Sequence, residues 1–389
     1  MLLTKGFEVE VYTGTPTGDV VGLSDQIVKA VPGFVREPDS RNVEYTTAPF
    51  CRYERLLCAL VQPRQRLRRY LKSLGNYTLI PGSTLSLGGS DRFHRSDPTN
   101  PYHDYIERTY GTSVVTASIH INVGIEDLET LMRVCRLVRV EAPLYLALSA
   151  ASPFLEGQPT GYHSTRWYTF PKTPAHVPLF ESHRHYIEWT EAQLAAGTMQ
   201  NVRHLWDSVR PNGDRRPYQL NRLELRICDL VTNPIALLAI TALLESRTLQ
   251  AIADPSLDPL QMSRLPSGSR AADLVTLTND NERAAAATSL DATLRHWQDG
   301  QPILARDWIE SLYQEVRGIA KQRGIGCFLL PIQHILKQGN EAQRWLDQFE
   351  RLGSVPPVIQ QGIREMIEQE VLLEDQLCDP PVPQVAQVA

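Results

Sequence analysis

The chain has 389 residues, 42% apolar and 21% charged, with a formal net charge of −5. This is the composition of a soluble globular protein with one or two domains and a sizeable core. The negative balance argues against a general nucleic-acid binder, which would carry a basic excess. Lysine is confined to Lys5, Lys29, Lys72, Lys172, Lys321 and Lys337, so most cations are arginines. That reflects either genome composition or a need to grip anions with forked, permanently charged groups.

The opening "MLLTKGFEVEV" enters a strand-like pattern at once, without a leader sequence. No apolar run approaches the ~20 residues of a membrane span. The six cysteines stand singly, without CxxC or zinc spacing, and read as free thiols of a cytoplasmic protein.

In chain order, "FEVEVYTG" and "RNVEYTTAP" alternate as strands do. "YERLLCALVQPRQRLRRYLKSLG" predicts a helix interrupted or kinked at Pro63 and ending at Gly75. A loop rich in Gly, Ser and Pro spans 81–101, and "VTASIHINVGI" is the next strand. "DLETLMRVCRLVRVEAPLYLALSAA" is helical, and the loop 152–178 follows. Both loops are long enough to be lids or binding loops rather than connectors. "FESHRHYIEWTEAQLAAG" predicts an amphipathic helix that stops near Gly197, and "NRLELRICD" a strand. From Pro234 to Leu373 the pattern is mainly helical. The expected organisation is one domain over 1–375, sheet-rich to 233 and helical after it, with a disordered tail over 376–389. Antiparallel-type strands with segregated helices give an α+β class.

The strands share a second property. Glu8 and Glu10 lie on one face of the first, and Asn42, Glu44 and Thr46 on one face of the second. Ser118, His120 and Asn122 share a face of the third, and Arg222, Glu224 and Arg226 a face of the last. If the strands are neighbours, Glu8, Glu10, Glu44, His120 and Glu224 meet on one surface. Such carboxylates repel unless a divalent cation relieves them, and magnesium is usual where phosphates are handled. Glu8 and Glu10, two rises apart at about 7 Å, suit separate ions or two sides of one cluster. The plain alternative is the wet side of an antiparallel sheet.

Other chemistries find no support. There is no GxxxxGK[ST] loop, no HExxH and no GxSxG. His183 and His185, two apart on a helix, diverge. Cys51 and Cys58 read as one core face of a helix, and His103 and His163 as surface loop residues.

The runs "GFEVEVYTG", "DSRNVEYTTAP", "ASIHINVGI", "SAASPFLEGQPTGYHSTRW" and "NRLELRICD", in this order, resemble glutamate–cysteine ligase, chiefly the cyanobacterial type. The likeness extends to the plant enzyme and to bacterial carboxylate–amine ligases. It implies a glutamine synthetase-like fold, a curved antiparallel sheet whose open concave face is the active site, backed by helices. It implies ATP-dependent joining of the L-glutamate γ-carboxylate to L-cysteine through γ-glutamyl phosphate, the first step of glutathione formation. It also implies magnesium bound by Glu8, Glu10, Glu44 and Glu224, with His120 a metal or phosphate contact. Arg226 would reach the transferred group, Arg166 the glutamate α-carboxylate, and Arg210 would be a further anion contact. A related ligase with another amine acceptor is the alternative. Oligomeric state and the cysteine and adenine contacts stay open.

Overall fold

The computed structural model describes residues 1–265 and 270–377. Its main sheet joins β1 (Lys5–Gly14), β2 (Phe34–Arg36), β3 (Asn42–Thr46), β4 (Thr78–Ile80) and β5 (Ile119–Gly124). A short hairpin, β6 (Phe154–Leu155) with β7 (Gln158–Pro159), stands apart, and β8 (Val209–Asn212) and β9 (Arg222–Leu225) complete the sheet. The order is β2-β3-β1-β5-β9-β8, with β4 on the end of β1, and every pairing is antiparallel. The α+β class holds. A further hairpin, β10 (Thr293–Arg295) with β11 (Pro302–Leu304), interrupts the helical half.

Period-2 alternation decides which face is apolar. Phe7, Val9 and Val11 of β1, Ile119, Ile121 and Val123 of β5, and Leu223 and Leu225 of β9 are all buried. The helices of the sheet half are α1 (Ser24–Ala30), α2 (Tyr53–Leu74), α3 (Pro101–Tyr110), α4 (Leu128–Ser149), α5 (Thr165–Thr169) and α6 (His183–Ala195). Pro63 lies inside α2 without interrupting it, and Gly75 caps its end as expected. Asn100, Asp127, Ser164 and Ser182 cap α3, α4, α5 and α6 by accepting backbone N–H groups that the first turn leaves unpaired.

The helical half runs α7 (Pro234–Ala253), α8 (Pro259–Met262), α9 (Arg270–Thr288), α10 (Ala305–Gln322), α11 (Gly326–Leu329), α12 (Pro331–Gln338), α13 (Glu341–Leu352) and α14 (Val355–Leu377). Of the tail expected beyond 375, the first two residues finish α14 and the rest lie outside the described residues. Helix α7 is long and apolar enough to cross a membrane, contrary to the reading that no such run exists. It is a core helix instead, most of it buried between α4 and α10.

Buried ion pairs tie the halves together. Lys5 Nζ donates to Glu245 Oε2 at 2.8 Å and to the carbonyls of Leu3 and Cys51. Glu245 also accepts from Leu3 N and Tyr53 Oη, and neither charged side chain is exposed. Arg68 donates to Glu370 at 3.0 Å, and Arg64, 3.8 Å from Glu370, donates to Tyr45 Oη behind β3. The thiols depart from expectation. Cys51 precedes α2 rather than sharing a core face of that helix with Cys58, and Cys51, Cys135, Cys228 and Cys327 are free thiols.

Removing one partner of a buried pair strands the other charge, at a cost of about 3–5 kcal/mol. Glu245→Ala should lower unfolding stability by that order, and Lys5→Met with Glu245→Met should recover most of the loss. Urea denaturation of the three proteins checks this; an equal loss in both variants would contradict it.

Candidate active site

The sheet register brings the predicted carboxylates to one face. Glu8 lies opposite His120, Glu10 opposite Glu44, and Glu224 between Asn122 and Arg210. These side chains point away from the apolar core, so the alternation read from each strand is the alternation of the whole sheet. The face floors a cavity of about 580 Å³, which reaches Glu10, Glu44, His120, Arg166 and Arg226. Toward the start of β1 lies a second cavity of about 390 Å³, bordered by Glu8, Asn122 and Arg222.

Two groups of ligand-type atoms form on this floor, each within 4.8 Å internally: Glu8, His120, Glu224 and Glu10, Glu37, Glu44. They differ in chemistry. Glu224 is wholly buried and already saturated. Arg210 holds it through Nε at 2.6 Å and Nη2 at 3.1 Å, Arg226 donates at 2.6 Å, and Asn212 donates at 2.6 Å. Burial alone would raise its pKa, but the two guanidinium groups and His120 hold it well below the carboxylate range. His120 faces acceptors on both sides. Its Nδ1 is 3.0 Å from Glu8 and 3.4 Å from Glu224, and its Nε2 is 3.1 Å from Ser118 Oγ, whose proton goes to Glu10. Glu8 stays below its usual value despite burial and the charge of Glu224, because His120 and Arg210 oppose them. This group is largely paired internally, with His120 bridging Glu8 and Glu224, yet its ligand atoms also lie close enough together to hold an ion.

Among the described residues, the second group has no ion-paired cation. Glu37, just beyond β2, shares a hydrogen bond with Glu44. Burial, then Glu10 and Glu44, push its pKa well above the usual range. Glu44 is raised too, by burial first and by Glu8 and Glu10, with the bond from Glu37 opposing. Three crowded carboxylates, with Glu37 and Glu44 resisting ionisation, are what a hard divalent cation with oxygen ligands relieves. Glu10, Glu37 and Glu44 therefore fit magnesium better than Glu8, His120 and Glu224.

The arginines divide as well. Arg210 spends its guanidinium on Glu224 and on the carbonyls of Arg203 and Leu205, so the anion it contacts is the protein's own. Arg226 keeps part of its head toward the cavity. Arg166 donates to the carbonyls of Ile227 and Arg226, both at 3.1 Å, while its Nε has no hydrogen-bond partner. Tyr102, Phe170 and Trp206 give the cavity an aromatic wall. Trp206 leans on His204, whose ring centroid is 4.5 Å away and whose pKa burial lowers to about 4. His204 Nδ1 accepts from Gln200 N, so Nε2–H points to Tyr110 Oη at 2.9 Å. His103 is buried beside Ser96, and His163 bonds Ser289 Oγ at 2.6 Å; neither is the plain surface residue expected.

With this geometry in hand, comparison with known proteins decides the family. The sequence pattern of glutamate-cysteine ligase family 2 matches residues 4–372. The chain belongs to that family. It is a ligase of the glutamate–cysteine type by descent. A Rubrobacter xylanophilus protein provisionally named glutamate–cysteine ligase 2-1 is 26% identical, over 92% of this chain and 93% of its own. A Sorangium cellulosum relative, provisionally named glutamate–cysteine ligase 2, is 30% identical over 65% of this chain and 64% of its own. The fold is that of the Francisella tularensis glutamate–cysteine ligase solved with AMP, at TM-score 0.72, 12% identity, and 97% and 92% coverage. The bifunctional glutathione synthetase of Pasteurella multocida matches at TM-score 0.74 and 15% identity, over 96% of this chain. This chain spans about half that protein, 53% of it.

Glu37 was missed by sequence reading because it follows a three-residue strand with no alternation to mark it. Its raised pKa has a consequence with a definite sign. A carboxyl raised in the folded state costs nothing below its ordinary value of 4.5. As pH climbs from there toward the folded value, stability is lost. With divalent ions chelated, the melting temperature of Glu37→Gln should exceed the native one at pH 7.5, and the gap should close near pH 4.5. Calorimetric scans across that window check this; a pH-independent gap would contradict it.

Proposed function

We propose that the protein joins the γ-carboxylate of L-glutamate to the amine of L-cysteine at the expense of ATP, releasing γ-glutamylcysteine, ADP and phosphate. The product is the glutathione precursor, and the reaction belongs in the cytoplasm. The observation that carries this reading is the floor itself: an unneutralised carboxylate trio beside Arg226 and Arg166, within one cavity. A carboxylate is a poor acyl donor, and phosphorylation turns its oxygen into a leaving group. Catalysis of that step consists of placing two anions in line and offsetting their charge.

Glu10, Glu37 and Glu44 would hold magnesium, which when bound offsets the charge of the ATP phosphates. Arg226, buttressed by Glu224 at 2.6 Å, would meet the γ-phosphate during transfer. Arg210 fixes Glu224 and so acts one step back, as a positioning residue. Arg166, with its unpaired Nε, is the candidate for the glutamate α-carboxylate. The aromatic wall of Tyr102, Phe170 and Trp206 excludes water that would hydrolyse γ-glutamyl phosphate. No protein nucleophile is required, in keeping with the buried Cys135 and Cys228, whose thiols burial pushes far above the usual thiol range.

ADP release should require magnesium, glutamate and an amine acceptor together, with cysteine the best of a panel of amino acids. Glu44→Gln should reduce turnover by more than about 100-fold, since fixed charge is commonly the largest catalytic contribution. Equal turnover with alanine and cysteine would identify a ligase for another amine, and turnover without glutamate would contradict the reaction. Glu224 is a poorer residue to test. Its loss leaves two buried arginines unpaired and threatens the fold as well as the chemistry.

A further inference from the structure

Asp229, just beyond β9, is wholly buried; its backbone bridges to Ser118 beside the floor, and two further chain segments converge on its carboxylate. Its Oδ2 accepts from Ala151 N at 2.9 Å and from Ser152 Oγ at 2.7 Å, and its Oδ1 from Ser164 Oγ at 2.9 Å. Ser152 is laced to the segment that carries Arg166. Its N–H donates to His163 O at 3.1 Å, its carbonyl accepts from Thr165 N at 3.1 Å, and its Oγ accepts from Arg166 N at 3.2 Å. Ser164 caps α5 by accepting from Trp167 N at 3.3 Å. The same carboxylate lies 3.7 Å from Arg166 Nη1, whose head is already held by the carbonyls of Arg226 and Ile227. Arg166 is thus referred to the end of β9 twice, at its backbone N–H through the Ser152 hydroxyl and at its guanidinium through carbonyls, while Ser164 ties the next turn of α5 to the same carboxylate.

We infer that Asp229, acting through Ser152 and Ser164, is the positioning residue that aims Arg166 into the cavity and so sets the affinity for a substrate carboxylate. The inference rests on the reading of Arg166 as the glutamate contact. A group that must meet an anion through directed N–H bonds loses its advantage with small displacements. Asp229 provides that precision from behind, where it touches no substrate. Ser152→Ala removes a single hydroxyl, which breaks the link between Asp229 and Arg166 N while leaving every floor residue in place.

The test is steady-state kinetics of Ser152→Ala, Arg166→Lys and the double variant, with glutamate and ATP varied separately and melting temperatures recorded. Losing the relay, one neutral hydrogen bond's worth of alignment, should raise the glutamate KM about 3- to 10-fold. The ATP KM should stay within about twofold, and the double variant should be no worse than Arg166→Lys by more than about twofold, because both changes act on one group. Asp229→Asn should give the same pattern, more strongly. If Arg166→Lys weakens glutamate binding but Ser152→Ala does not, or if the two effects multiply in full, the positioning role is overturned while the reading of Arg166 stands. Equal weakening toward both substrates, with a lowered melting temperature, would show a merely structural role and overturn it as well. If Arg166→Lys leaves the glutamate KM unchanged, the reading of Arg166 fails, and the inference falls with it.

Discussion

Repulsion among carboxylates governs this molecule. Glu8, Glu10, Glu37, Glu44 and Glu224 are all drawn to one side of one sheet, and no folded protein gathers charges of one sign without an answer to them. The structure gives two different answers. Around Glu224 it supplies Arg210, Arg226, Asn212 and His120, so that the carboxylate stays ionised in a fully buried place. Around Glu37 and Glu44 it supplies a shared hydrogen bond and, among the described residues, no direct ion pair, and both resist ionisation. The first arrangement is already neutralised by protein groups, and the second is the one we propose for a cation.

The rest of the fold can be understood as the frame for that contrast. Period-2 alternation turns the apolar sides of β1, β5 and β9 into the core, where α4 packs on β8 and β9 and α2 on β1, and leaves the charged sides to the cavity. Buried pairs behind the sheet, Lys5 with Glu245 and the arginines of α2 with Glu370, tie strands to helices without entering the site. They add directional constraint where apolar packing alone is indifferent to orientation. Asp229 does the same for α5.

How much of this the sequence disclosed follows from how local each signal is. The faces of β1, β3, β5 and β9 were legible because alternation is a property of a few adjacent residues, and Glu8, Glu10, Glu44, His120 and Glu224 do meet. Glu37 was not legible: β2 is three residues long, and its approach to Glu44 is decided by cross-strand register. The role of Arg210 was half legible. A cation near the floor could be expected, but only the pairing of β8 with β9 shows that Glu224 absorbs it. His120 was placed correctly on its strand, while its task depended on Ser118 giving its proton to Glu10. Asp229 stood in the quoted "RICD" without drawing notice, because its partners lie 65 to 78 positions away in the chain.

The central claim is that this floor lets one carboxylate oxygen of glutamate take up a phosphoryl group before the amide forms. Transfer of isotope tests it most directly. Glutamate carrying ¹⁸O in its γ-carboxylate is turned over with ATP, magnesium and cysteine, and the released phosphate is examined by mass spectrometry. The account predicts that each phosphate acquires one labelled oxygen, since the oxygen that accepts the phosphoryl group leaves with it. Phosphate free of label, formed in step with γ-glutamylcysteine, would contradict it.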